Sequence, residues 1–355
     1  MVQDKQHVLI IGGNGFLGSH IITSFLDAGW PGSKLTVLDI REPNTKVPSV
    51  GYITGDICNP DDMRSAFRGI DIIVHTASPL HGLGRTVYFK VNVEGTRTII
   101  DVAKELGVKG LVYTSSAGVV FDGSDLVNCN EDARIPEIAM DAYNESKAVA
   151  EQLVLDSNGP TFKTCALRPA GLFGEGDRQM IPGMLKILKN GQTRFQLGNN
   201  DNLFDYTYIG NAAHAHVLAA QKLLQKSQDP QHVYRSAEGI ATNGVEGEAF
   251  FITNGTPIYF WDMPRAIFAY MGHKHTGSYI VLPKALATYM GLASEWVCWV
   301  LRKEPTFTRF RVQFACAQRY YDISKARERL GYEAPVSLQE GLARSLEWAK
   351  QNGEA

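Results

Sequence analysis

The segment Gly12-Gly13-Asn14-Gly15-Phe16-Leu17-Gly18 follows directly on the apolar run Val8–Ile11 and constrains the fold of this chain more than any other feature. Gly12, Gly15 and Gly18 form a G-x-x-G-x-x-G spacing. A turn without side chains lets a pyrophosphate approach the first turn of the helix that follows. There the free N–H groups of residues such as Phe16 and Leu17, together with the helix dipole, favour an anion. Gly18 lets that helix pack closely on the sheet. A glycine triplet alone is a weak signal, but this one has the strand-turn-helix context of a dinucleotide-binding βαβ unit. Asp39 ends the second apolar run, close to the roughly 20-residue offset of an acid that binds the adenosine ribose. A carboxylate there accepts from the ribose hydroxyls and repels a 2′-phosphate, so NAD is expected over NADP. Arg41, two residues on, is the feature that keeps NADP open.

The rest of the first half repeats the alternation. Strands are expected at Lys34–Asp39, Tyr52–Thr54, Ile70–His75, Gly110–Thr114 and Thr164–Leu167. Helices are expected at Gly15–Leu26, near Val91–Leu106 and from about Asp141. This order predicts an α/β fold: a doubly wound parallel sheet, the NAD-binding Rossmann fold. The second half loses the rhythm and mixes helices (Asn211–Leu224, Trp261–Met271, Leu338–Lys350) with isolated short strands. Residues 1–175 are assigned to the NAD-binding domain. Residues 176–355 form a smaller, mostly helical substrate-binding part, and segments around 203–226 and 249–256 return to the sheet.

Tyr-x-x-x-Lys occurs three times, as Tyr143/Lys147, Tyr270/Lys274 and Tyr321/Lys325, so context must choose among them. Only Tyr143/Lys147 lies in the nucleotide-binding half, on a helix that Asp141 can cap. Four-residue spacing puts both side chains on one face. Oxidising an alcohol requires a base for its proton while a hydride leaves. A phenol with pKa near 10 becomes such a base when an ammonium and a cationic nicotinamide favour the phenolate. Ser116, at the end of the strand Gly110–Thr114, can hold the substrate oxygen. Ser115 beside it leaves open a plain turn role. Tyr270/Lys274 and Tyr321/Lys325 are read as surface pairs. Asp56 and Ile57 (in Gly55-Asp56-Ile57), Ala77, Asn92, Pro169 and Gly171 are further candidates to line the cofactor.

Composition narrows the function. The net charge of −2 gives no reason to expect nucleic acid as a partner. The five cysteines are scattered without a C-x-x-C, which suggests reduced thiols facing the cytosol rather than a disulfide framework. The polar start, Met1 to His7, does not resemble a signal peptide. The sequons Asn144-Glu-Ser146 and Asn254-Gly-Thr256 are therefore read as chance matches. His214 and His216 do not share a helix face, His273 and His275 sit in a polar stretch, and no metal is expected. Tyr279–Leu301 is apolar and aromatic but interrupted by Pro283, Lys284 and Glu295. Its longest uncharged stretch falls short of the roughly 18 residues that suggest a spanning helix. An interfacial helix that draws a lipidic substrate from a membrane and a core helix of the substrate part are the two readings of it.

Together these residues resemble an extended short-chain dehydrogenase, more narrowly the 3β-hydroxysteroid dehydrogenase family and its sterol-4α-carboxylate 3-dehydrogenase (decarboxylating) branch. The resemblance rests on Gly12–Gly18, Tyr113-Thr-Ser-Ser-Ala-Gly-Val-Val-Phe121, Asp141-Ala-Tyr-Asn-Glu-Ser-Lys147 and Leu167-Arg-Pro-Ala-Gly-Leu-Phe-Gly174. It continues through Asn202-Leu-Phe-Asp-Tyr-Thr-Tyr-Ile209, Phe250-Phe-Ile-Thr-Asn254 and Pro305-Thr-Phe-Thr308. The first four segments also suit nucleotide-sugar epimerases; the later ones point to the sterol branch. The resemblance implies oxidation of a 3β-hydroxyl by NAD, with Tyr143, Lys147 and Ser116 catalytic, and loss of a C-4 carboxylate as CO₂. The substrate would be a sterol or triterpenoid, in sterol or specialised (fusidane-type) triterpenoid synthesis. It further implies a homodimer, through the helices near Val91–Leu106 and Asp141–Asp156, and peripheral association with the cytosolic face of the endoplasmic reticulum, with a cytoplasmic location as the alternative. A 3β-hydroxysteroid dehydrogenase/isomerase, a nucleotide-sugar epimerase or dehydratase, and a non-catalytic NAD-sensing regulator are the rival readings.

Overall fold

Four consecutive branched or large apolar residues, Val8–Ile11, have no exposed surface. A strand buried on both faces belongs in the middle of a covered parallel sheet. In the computed structural model the chain is described over residues 6–353, apart from 44, 81, 226–233, 236–240, 243, 275–276 and 304–306. His275 and the Pro305-Thr306 pair therefore lie outside the described residues. The central strands are β1 (Val8–Ile11), β2 (Leu35–Asp39), β3 (Gly51–Thr54), β4 (Ile72–His75), β5 (Gly110–Thr114), β6 (Lys163–Pro169) and β7 (Glu248–Ile252). They form one sheet in the order β7-β6-β5-β4-β1-β2-β3, parallel at every pairing. The order reverses beside β1, so the crevice at the carboxyl ends of β1 and β4 is the topological switch point where such sheets bind ligands. The α/β doubly wound fold matches the sequence expectation.

Helices cover both faces. Phe16–Asp27 and Ile209–Leu224 pack on one, joined through Ile21, Phe25 and Ala213 to the inner side of β1 and β5. Thr96–Glu105 and Ala142–Asp156 cover the other, against Leu9, Ile11, Ile73 and Leu111. Each fully buried aliphatic side chain contributes about 1.5–3 kcal/mol over exposure. The helix expected near Val91–Leu106 begins earlier and is irregular. A short helix Arg85–Tyr88 runs through a π-helical turn, Phe89–Gly95, into Thr96–Glu105. Close packing coincides with the irregularity: a Cβ on Gly95 would lie 2.7 Å from Ile57 Cδ1. Strand β6 is longer than expected, extending through Pro169.

The chain leaves the sheet after β6 and returns as β7. Between and beyond these strands, short pieces form a second, four-stranded sheet. Its order is Ile258–Tyr259, Leu203–Phe204, Arg319–Tyr321, Leu126–Cys129. It stands beside the carboxyl end of β6, with Phe204 against Gly171. The helix Lys284–Val300 lies at the periphery and buries only Ala287 and Gly291. Trp296 is 65% and Trp299 76% exposed. This overturns the reading of Tyr279–Leu301 as a core helix. No helix among the described residues is long and apolar enough to cross a membrane.

Candidate active site

The glycine turn is built by steric exclusion. A Cβ on Gly18 would lie 2.2 Å from Gly12 O, and one on Gly12 would lie 2.7 Å from the backbone nitrogen of Ala77. Gly12 also takes φ +81°, which disfavours any side chain. The turn therefore packs backbone on backbone. No side chain caps the helix Phe16–Asp27, so its first N–H groups face the crevice with no acceptor inside the helix. The Asp39 carboxylate, at the end of β2, accepts from Asn14 N (3.1 Å) and Arg41 N (3.2 Å). It is thus pinned against the turn by its two oxygens, each with capacity left for a ribose hydroxyl. These features fit a dinucleotide: a bare anion cradle and a carboxylate fixed beside it.

The other cofactor candidates sort by what they touch. Ala77 adjoins the glycine turn. Asp56 accepts from Cys58 N (2.9 Å) in the loop after β3, and Ile57 beside it is buried under Gly95. Asn92 is buried in the π-helical turn and donates to Ser146 Oγ (2.9 Å), which donates to Tyr143 O (2.8 Å). It braces the Tyr143 helix, while its own Oδ1 has no partner. Pro169 ends β6, and Gly171 faces the small sheet.

Ser116, Tyr143 and Lys147 meet at the carboxyl end of β5. Ser116 Oγ accepts from Gly118 N (3.0 Å) and starts a one-turn 3-10 helix, Ala117–Val120. Ser116 is half-buried, whereas neighbouring Ser115 is buried with its hydroxyl unpartnered, so Ser116 is the more accessible of the two. Tyr143 stands in the first turn of the helix Ala142–Asp156, which Asp141 caps through Asn144 N (2.7 Å). Its ring meets Tyr88 edge-on at 5.7 Å. Lys147, one turn later, is buried; its ammonium donates to Thr114 O and lies 4.3 Å over the Tyr113 ring. Burial pulls its pKa down to about 7 against the raising effect of Glu151.

The acidic phenol expected from the sequence is not produced by the protein's own groups. Burial first, then Asp141 and Tyr88, raise the Tyr143 hydroxyl above the ordinary tyrosine value. The physical reason is burial, which disfavours the charged phenolate. The remaining charge the expectation relied on belongs to the nicotinamide. A second correction concerns Tyr321. It is buried, not on the surface: it stacks on Phe251 at 4.5 Å and its hydroxyl donates to Ala117 O (3.3 Å). Tyr270 is exposed. His216 hydrogen-bonds Thr114 Oγ1 (2.8 Å) and His273 hydrogen-bonds Thr193 Oγ1 (2.9 Å). Among the described residues no group of three or more His, Cys, Asp or Glu could hold a metal.

Sequence reasoning missed the buried pair Arg168–Glu151, whose atoms approach to 2.6 Å and tie β6 to the catalytic helix. The i,i+4 spacing of Lys147 and Glu151 was the available signal. Tyr88 and the Thr114 carbonyl gave none.

The family model for the 3-beta hydroxysteroid dehydrogenase/isomerase family matches residues 9–284. The sterol-4-alpha-carboxylate 3-dehydrogenase (decarboxylating) of Schizosaccharomyces pombe is 49% identical, over 96% of each chain. The chain belongs to the 3-beta hydroxysteroid dehydrogenase/isomerase family. The mouse sterol-4-alpha-carboxylate 3-dehydrogenase (decarboxylating) is 35% identical, over 95% of this chain and 89% of its own. For this family member the fold is matched by a crystal structure of dTDP-glucose 4,6-dehydratase from Streptomyces venezuelae. The TM-score is 0.72 with 22% identity, over 98% of this chain and 97% of that one.

Proposed function

We propose that the protein oxidises the 3β-hydroxyl of a 4-carboxylated sterol or triterpenoid to the 3-ketone, with loss of the C-4 carboxylate as CO₂. The observation that carries the reading is the convergence of Ser116, Tyr143 and buried Lys147 beside a glycine cradle. The names of the relatives supply the substrate class. Gly12, Gly15, Phe16, Leu17 and Gly18 hold the pyrophosphate, and Asp39 selects NAD over NADP through the ribose. The nicotinamide, when bound, accepts the hydride from C-3. Ser116 orients the substrate oxygen by a hydrogen bond, and Tyr143 Oη takes its proton. Burial holds the phenol protonated in the free protein, so this base is armed only when a cationic ring stands beside it.

The product is a β-keto acid. Its C-4–carboxylate bond breaks, the electron pair forms a C-3 enolate, and CO₂ leaves. The Tyr143 phenol and Ser116 stabilise the enolate oxygen before C-4 is protonated. The apolar helix Lys284–Val300 supports peripheral association with a membrane, the endoplasmic reticulum face implied by the sterol reading, from which such a substrate would come.

The test is incubation with NAD and a 4-carboxylated 3β-hydroxysterol, following NADH absorbance and the mass loss of CO₂. Both are expected in equal amounts. NADH without CO₂ would reduce the activity to a plain dehydrogenase. Tyr143→Phe should lower turnover by at least about 100-fold, the scale of positioned acid–base catalysis, while NAD affinity stays within about twofold. Undiminished turnover would sink the assignment.

A further inference from the structure

The geometry points to Arg319 as the group that recognises the substrate's C-4 carboxylate, an assignment that rests on the reaction proposed above. Arg319 is 7% exposed and sits on one of the two inner strands of the small sheet. Its guanidinium lies 4.2 Å over the Phe121 ring, 4.5 Å over Phe314 and 5.3 Å over Phe204. Among the described residues it forms no ion pair; Nε and Nη1 have no hydrogen-bond partner, and its polar side-chain contact is with the neutral Tyr321 hydroxyl. The contrast is Arg168, equally buried, which faces Glu151. Three aromatic faces offset part of the cost of burying a cation. They do not use its directed N–H groups, and a buried charge without a counterion is strongly unfavourable. Asp205 directly follows the adjoining strand Leu203–Phe204, but its carboxylate accepts from Tyr321 N (2.9 Å) and is not paired with Arg319. No described residue supplies the missing carboxylate, and a substrate carboxylate would.

The place of this cation fits the chemistry. Phe121 closes the same turn that Ser116 opens. Tyr321, on the same strand face as Arg319, donates to Ala117 O, next to Ser116. The Phe204 ring borders Gly171, beyond Pro169. Arg319 is therefore separated by one aromatic ring from the turn that Ser116 opens and by another from Gly171. In a 4-carboxylated 3β-alcohol the carboxylate and the hydroxyl sit on adjacent carbons. A site that holds the hydroxyl at Ser116 needs its cation one side chain away. Of the three covering rings, Phe121 and Phe204 are buried and Phe314 is only half-buried, so displacement of Phe314 uncovers the fork. Decarboxylation removes the anion, so the ketone product loses this contact while the acid substrate has it.

The experiment compares a 4α-carboxy-3β-hydroxysterol with its methyl ester in wild type, Arg319→Met and Arg319→Gln. Wild type should prefer the acid by about tenfold or more in kcat/KM, as expected for a desolvated charge pair. Both variants should lose that preference, mainly through a raised KM for the acid. A preference that survives in either variant, or its absence in wild type, overturns the assignment. Should the variants fail to fold, thermal protection of wild type decides: protection by the acid and not by the ester supports the pair, and equal protection refutes it. NADH from both sterols without an acid preference sinks Arg319 alone. No NADH from either sinks the proposed reaction and this assignment with it.

Discussion

Asp39 illustrates how one side chain serves structure and selectivity together. Its carboxylate receives two backbone N–H groups, from Asn14 and Arg41, and so shapes the turn it faces. A hydrogen bond to a charged group contributes about 1.5–3 kcal/mol, so Asp39→Ser should lower the NAD-over-NADP ratio of kcat/KM by about 10–100-fold. Steady-state kinetics with both cofactors checks this, and an unchanged ratio would move cofactor selection elsewhere. Lys147 shows the converse economy. Its ammonium is held by a carbonyl, an aromatic face and the nearby Glu151 charge, against burial that pulls its pKa down.

At the scale of elements, the helix Ala142–Asp156 is fixed at both ends, by the Asp141 cap and by Glu151 on Arg168. Removing one partner of a buried pair costs about 3–5 kcal/mol. Glu151→Gln should therefore lower stability by that order in urea titration, and weaken oxidation as β6 and the catalytic helix lose their link. The helix Lys284–Val300 has the opposite problem, since it exposes Leu286, Tyr289, Met290, Trp296 and Trp299. Tryptophan at a lipid interface is well placed, with its ring in the headgroup layer. Phosphatidylcholine/phosphatidylserine vesicles should co-sediment the protein, and Trp296→Ser with Trp299→Ser should reduce the bound fraction several-fold without changing the fold by circular dichroism. Equal sedimentation of the double variant would exclude this helix as the contact.

For the whole molecule, pH reports the buried groups. Burial lowers His75 to about 3 and His216 to about 4. The unfolded chain then binds more protons than the folded one as pH falls below about 6.5, so stability is lost toward pH 4. Asp205, raised to about 7 by burial, acts in the reverse sense: the folded state holds its proton first, which offsets part of the loss. Asp205→Asn should therefore steepen the decline between pH 6.5 and 5, measured by urea unfolding; a shallower decline would contradict the sign. The β1 run, the glycine turn, Asp39 and the Asp141 cap were legible in the sequence because each is a local rule of spacing or capping. The π-helical turn, the burial of Tyr321 and the unpaired state of Arg319 were not. Each depends on neighbours far along the chain: Ile57 under Gly95, Phe251 against Tyr321, Phe121 and Phe314 around the guanidinium. The periphery of Lys284–Val300 was equally invisible, since an apolar helix has the same composition whether covered or bare.

Strand β7 is made long after the neighbour it must join, since Glu248 follows Pro169 by a wide detour. At synthesis rates of about 5–20 residues per second, the gap of roughly eighty residues leaves the β6 edge without its mate for on the order of 4–16 s on the ribosome. An unpaired hydrophobic border of that duration invites other strands, so nascent chains of this protein should need a holding chaperone until Ile252 has emerged.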